Sequence, residues 1–461
     1  MTALLLLSVF LIEYFSKDLG LIPGKSKYFI DALSIMASLM VVVYLVKNKE
    51  FYVSTKYLII FLFFALIVLV GVIINNVDAG TAFFGLRTHL KYLPFFFLPA
   101  VSGISDNGLN KQLKLLLGLV LLQFPVVFFQ RFVQYRGSRT GDVITGTVGE
   151  SGVLTILLIC AISVLIAFFA RKRLGKPLFL LLMFLIFIPT TLNETKVTLV
   201  ILPIAICVPI FFSARRHIDS MKKILPSIGL SALLFIVFIP IYNSFMREID
   251  GGTIGNFVTN EKRLRGNFIT DAQKLAPELR DSPGSNLPAD TGTETTAPDT
   301  PVRRLDSILI PLQILSDDPI KLLVGLGVGN LSDTGISAFK GNYSYYFSEW
   351  GGRQTTISYL WWEVGILGVM LGTFFVFFVL RDAMYLRHRE DTIGVLALGW
   401  VGVASVMAVI LFYKNIIIFN VLGYLFWYFS GCIAAQRKRL EYRRDATLFA
   451  PFARKTKRFI I

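Results

Sequence analysis

Uncharged apolar runs long enough to cross a bilayer recur along most of this chain, and its charges are gathered into short clusters between them. Residues 57–75 and 152–170 are the clearest cases. Spanning about 30 Å of hydrocarbon takes roughly 20 helical residues. Within that layer every backbone N–H and C=O must find its partner inside the protein, which a helix achieves within a single segment. Composition agrees: of 461 residues 54% are hydrophobic and only 16% charged, against about 25% charged in soluble domains. A cytosolic enzyme, a disordered polymer and a disulfide scaffold are excluded. Cys160, Cys207 and Cys432 all lie inside apolar runs, so they read as small buried side chains rather than a disulfide or metal set.

The reading is an all-α integral membrane protein with twelve spans, at residues 3–15, 28–46, 57–75, 82–101, 113–132, 152–170, 177–192, 197–214, 224–242, 356–380, 393–413 and 415–435. The first is short, but Met1-Thr2-Ala3 gives it no basic leader and no clear cleavage site follows, so it is kept as a span. With the N-terminus in the cytoplasm, the cytoplasmic segments hold 25 Lys and Arg residues and the short outer loops only 9. That asymmetry places both termini inside. The segment 436–461 carries nine basic and two acidic residues of a chain whose net charge is +16. It reads as a basic cytoplasmic tail that anchors the topology on anionic lipid, with no nucleic-acid role.

The chain therefore divides into spans one to nine (1–242), a large outer loop (243–355), spans ten to twelve (356–435) and the tail. Within the loop, residues 281–301 have the Pro, Thr, Gly and acidic content of a disordered linker. Beyond it, Leu305, Ile308, Leu309, Leu312 and Leu315 form an i, i+3, i+4, i+7 stripe. This predicts an amphipathic helix over 302–315, suited to lying on the membrane surface and roofing a cavity between spans.

Ionisable groups at the edges of spans mark functional sites. On the outer side these are Arg87, His89 and Lys91, then Arg136 and Arg139, Glu150, Glu194 and Lys196, Arg303 and Arg304, and Glu349, Arg353 and Glu363. Cations predominate on the face where the orientation rule disfavours them, which points to an anionic ligand. Guanidinium groups match two phosphate oxygens at once. Each residue also has a plainer role: Arg87 and Lys91 reaching headgroups, His89 as a packed polar residue, Glu194 and Lys196 as a loop ion pair. Gly325-Leu-Gly-Val-Gly329 reads as a turn, because no strand-then-helix context supports a nucleotide loop, and Asp317-Asp318-Pro319 reads as a helix break.

The order of local motifs resembles the O-antigen ligase/polymerase family, membrane glycosyltransferases that include O-antigen ligases and Wzy-type polysaccharide polymerases. The resembling stretches, in chain order, are Leu86-Arg87 with Tyr92-Leu-Pro-Phe-Phe-Phe97, Gln123 to Gln130, Thr145-Gly-Thr-Val-Gly149 and Asn193-Glu-Thr-Lys196. They continue with Arg304-Leu-Asp-Ser-Ile308, Asp318-Pro319, Gly325 to Gly329, and Ser358-Tyr-Leu360 with Glu363-Val-Gly-Ile-Leu-Gly368. Ligases of this family carry a His-Asn pair before the Tyr-Leu that opens the span after the large loop. Here that stretch is Gln354-Thr-Thr-Ile-Ser358, without histidine, which favours a polymerase over a ligase.

The resemblance implies an enzyme of the bacterial inner membrane that needs no metal or other cofactor. It would transfer a glycan from undecaprenyl pyrophosphate to a sugar hydroxyl of a lipid-linked acceptor at the periplasmic face, with membrane lipids, a flippase and chain-length regulators as partners. Arg87, Arg139, Lys196, Arg304 and Arg353 are then the candidates to hold pyrophosphate, with Arg304 also counted among the catalytic groups. Glu349, Glu363 and His89 are the candidates to take the acceptor proton. A ligase acting on a lipid A-core acceptor, and a transporter or lipid-linked-sugar flippase, are the alternatives. The last would call for ionisable groups at mid-membrane or broken helices in paired halves.

Overall fold

The computed structural model describes residues 1–48, 50–138, 140–214, 217–246, 304–332, 339–344 and 354–456. Arg139, Arg303, Glu349, Arg353 and the 281–301 linker lie outside them. Everything regular among the described residues is helical. The first half of the chain forms α1 (Thr2–Glu13), α2 (Tyr28–Asn48), α3 (Thr55–Ile74), α4 (Ala79–Leu90), α5 (Leu93–Ser102), α6 (Asp106–Leu121) and α7 (Gln123–Phe129). Then come α8 (Ser151–Ala170), α9 (Lys176–Leu192), α10 (Thr198–Ser213) and α11 (His217–Met246). From the large loop onward are α12 (Arg304–Leu315), α13 (Pro319–Val324), α14 (Thr356–Leu386), α15 (Thr392–Ile410) and α16 (Asn420–Thr456).

Among the described residues seven helical stretches are long and apolar enough to cross a membrane: Gly24–Asn48, Thr55–Ile74, Asp106–Gln134, Ser151–Ala170, Leu225–Ser244, Thr356–Leu386 and Thr392–Ile410. The chain is thus a multi-pass membrane protein. Five of the twelve expected spans look different in the structure: residues 3–15, 177–192 and 197–214 form helices of 12, 17 and 16 residues, shorter than the roughly 20 that a crossing takes, and the other two change their bounds. Residues 82–101 are not one helix: α4 stops at Leu90 and α5 starts at Leu93 with Pro94 in its first turn, where a missing N–H does least harm. Residues 415–435 begin with an irregular stretch, and the helix that starts at Asn420 runs on through the basic segment to Thr456.

α8, α10 and α15 pack against one another and form the dry centre. α8 buries nearly every side chain from Ser151 to Phe168, and α15 does the same from Thr392 to Met407. Two apolar helices gain nothing from hiding in lipid, so small residues that allow close approach decide such contacts. A Cβ on Gly402 would come within 2.6 Å of Ser163 Oγ. α14 lies against α15 and α3, and α16 against α5. Around this centre α2 and α3 turn Ile35, Leu39, Val46, Leu62, Leu66 and Ile73 outward, an apolar surface that suits lipid and not water.

α12 forms where the sequence stripe predicts it, but only part of the stripe faces the protein: Leu315 is buried and Ile308 is half-buried against the core. Leu305, Leu309 and Leu312 are exposed, while Asp306, Ser307, Ile310, Pro311 and Leu315 make the buried side. Three leucines of the apolar face are thus left to the surroundings.

Candidate functional site

α14 is broken at Gly365, whose backbone (φ +65°, ψ −168°) is not helical. Such an interruption frees backbone groups that must be bonded elsewhere. The loop 325–329 does this: the Leu326 N–H donates to the Trp362 carbonyl at 2.8 Å, and the Asn75 side-chain amide donates to the Gly325 carbonyl at 3.1 Å. Gly325, Gly327 and Gly329 all have positive φ. Their lack of side chains also permits contact, because a Cβ on Gly329 would sit 2.1 Å from the Thr81 carbonyl and one on Gly85 2.2 Å from the Gly329 nitrogen. The stretch that reads in sequence as a turn does turn, and it is buried as a wedge between α3, α4 and the break in α14.

At the break, His89 and Glu363 meet. Nε2 of His89 lies 2.5 Å from Glu363 Oε2, and both side chains are buried. The other carboxylate oxygen accepts the Gly329 N–H at 3.3 Å. Tyr359 lies beside Glu363 and Ser332, and its ring is 5.3 Å from the His89 ring. Two of the sequence candidates, 274 positions apart, therefore form one unit. With Nε2–H donated to the carboxylate, the tautomer that fits leaves the Nδ1 lone pair as the basic site.

His89 also lines a cavity of about 130 Å³. From Thr356, Leu411 and Ile417 at one end it runs past Leu360 and Phe64 to Phe61, Phe375 and Trp427. The last three are stacked, with Phe375 and Trp427 centroids 4.5 Å apart. The unit is thus reachable through an apolar space.

The candidate cations among the described residues do not gather on this pair. Arg87 forms an ion pair with Asp31 of α2 and lies 5.8 Å from the centre of the Tyr28 ring. Lys91 donates to the Asn420 side chain at 2.8 Å. Arg304 stacks on Tyr413 at 4.2 Å and donates from Nε to the Tyr413 carbonyl at 3.1 Å. No carboxylate pairs with Arg304 among the described residues. Next to Tyr413, Lys414 pairs with Glu150 at 2.8 Å. Glu194 is held by Arg131 at 2.9 Å and by the Gly141 N–H at 2.7 Å, in place of the expected pairing with Lys196. Glu194 has φ +57°, and burial pushes its carboxyl up, opposed by the Gly141 N–H and the Arg131 charge. Lys196 is half-buried in the same loop.

Sequence reasoning singled out His89 and Glu363 separately but missed their pairing, Tyr359 as a third member, and Gly329 as a donor. The available signal was the glycine spacing at 325, 327 and 329 together with Gly365 two residues beyond Glu363. A second buried ion pair was missed as well: Asp382 near the end of α14 takes Lys56 at 2.5 Å and the Tyr57 hydroxyl at 2.8 Å. Among the described residues no three His, Cys, Asp or Glu side chains group as metal ligands. A scan against protein-family models and a search of curated proteins returned no match to this chain.

Proposed function

We infer that the chain is a glycosyltransferase of the O-antigen ligase/polymerase type, acting as a polysaccharide polymerase at the periplasmic face of a bacterial inner membrane. In this reading it has twelve spans with both termini cytoplasmic, and transfers a glycan from undecaprenyl pyrophosphate to the sugar hydroxyl of a lipid-linked acceptor without a metal. The observation that carries the proposal is the His89–Glu363 contact at 2.5 Å beside the cavity. In the transfer, the acceptor oxygen bonds to the anomeric carbon as the carbon–oxygen bond to pyrophosphate breaks, and the bonding pair leaves on phosphate. His89 Nδ1 takes the acceptor proton, and Glu363 stabilises the imidazolium that results. Arg304, which no described carboxylate neutralises, is the cation best suited to meet the departing pyrophosphate.

A transporter of lipid-linked sugar is the second reading, and the break in α14 beside a buried ionisable pair favours it, since such helices line transport sites. One experiment separates the two. Purified protein in liposomes is given an undecaprenyl-pyrophosphate-linked oligosaccharide, and products are read by mass spectrometry. Transfer gives glycans of multiplied length and free undecaprenyl pyrophosphate, and His89→Asn or Glu363→Gln lowers the rate about a hundredfold. Donor that crosses the bilayer chemically unchanged would reject the enzyme.

A further inference from the structure

Toward the start of α3, about 15 Å along its axis at 1.5 Å per residue from Phe64, whose ring lies 5.7 Å from that of His89, a polar pocket of about 590 Å³ opens. Three parts of the chain wall it: the link before α3 with Glu50 and Tyr52, the turn from Val101 to Ser105, and the face of α16 carrying Gln436, Arg439, Tyr442 and Arg443. The charges here are arranged unlike those beside them. Arg437 pairs with Glu441 at 2.7 Å and Lys438 lies 3.9 Å from the same carboxylate. Arg439 and Arg443, one turn apart on the pocket face, pair with no carboxylate among the described residues.

Arg439 is moreover fixed in place. Its Nη2 donates to the Pro99 carbonyl at 3.0 Å, and its guanidinium lies 4.9 Å from the centre of the Tyr52 ring. That ring meets Tyr442 edge-on at 6.1 Å. Among the described residues Glu50 is the one carboxylate lining the pocket, and its charge is felt by both Tyr52 and Arg439. A held guanidinium, a second one beside it and two phenols suit a phosphate at a membrane surface, where Tyr is at home.

We propose that this pocket binds the phosphate of an anionic phospholipid headgroup from the leaflet on the side of the basic segment. The inference does not depend on the transferase reading, since it concerns lipid retained by the protein and not chemistry. Native mass spectrometry of the full chain, released from nanodiscs of mixed phosphatidylglycerol and phosphatidylcholine, tests it. Wild-type protein should keep phosphatidylglycerol in preference, and Arg439→Gln and Arg443→Gln should each lower that retention about fivefold. Arg437→Gln, which removes a paired charge outside the pocket, should leave it unchanged.

Because Arg439→Gln also removes a packing contact, Arg443→Gln, at an exposed side chain, is the decisive variant for protein that folds normally. Equal retention by wild type and Arg443→Gln, or equal retention of the two lipids, overturns the proposal. So does stabilisation by inorganic phosphate in detergent with no lipid preference, which would make the ligand a free anion.

Discussion

α8 and α14 look alike as sequence, each a long apolar stretch entered from a polar loop, yet they serve opposite ends. Of the most apolar 18 residues in each, 83% are buried in α8 and 39% in α14. α8 is regular, touches protein all around and holds no ionisable side chain between Ser151 and Ala170. α14 is broken, one side meets the surroundings through Met370, Phe374 and Phe377, and the other carries Tyr359 and Glu363. A membrane helix that only needs to pack can be uniform. One that must place a carboxylate inside the bundle surrenders regular backbone, and a second segment has to repair it.

Three substitutions sharpen this contrast. The largest effect is expected at the break. In Gly365→Val the new Cβ falls 2.3 Å from the Leu323 carbonyl, at a backbone angle that suits only glycine. A loss of about 4 kcal/mol or more should follow, seen as little monodisperse protein on size-exclusion chromatography; a wild-type yield would mean that α14 can straighten and that the wedge is dispensable. Next, Leu158→Ala in the fully buried α8 leaves a cavity worth about 2–5 kcal/mol. It should lower the thermal midpoint while the rate of whatever reaction is catalysed, measured well below that midpoint, stays put. A selective loss of rate would show that α8 is no mere scaffold. Smallest is Phe374→Ala on the outward face of α14, which is 46% exposed. Its change in midpoint should stay within about 0.5 kcal/mol, and a larger fall would reveal a protein partner on that face.

Much of this architecture was legible in the sequence, because burial in lipid writes itself into long uncharged runs. The seven long helices, the helix that follows the linker and the candidacy of His89 and Glu363 all follow from local composition. What composition does not encode is which charges meet. His89 and Glu363 are brought together by the packing of α4 and α14 on the glycine wedge. Arg304 turns to Tyr413, and Glu194 to Arg131, because each finds a nearer or better-shaped partner across the bundle. The outward turn of Leu305, Leu309 and Leu312 shows the same limit. Periodicity reveals that a helix has an apolar face, not whether protein or lipid covers it.

The distance of Glu363 from the start of α14 is fixed by covalent geometry: seven residues beyond Thr356, about 10 Å along the axis. Acyl-chain length therefore sets how much hydrocarbon lies between the His89–Glu363 pair and bulk water. A thin bilayer brings the pair nearer the headgroups, whereas a thick one sinks it unless the bundle tilts or the lipid around it thins. The polarity felt by this pair is thus a joint property of the protein and of the membrane it inhabits, open to adjustment by lipid chain length without any change in the amino-acid sequence.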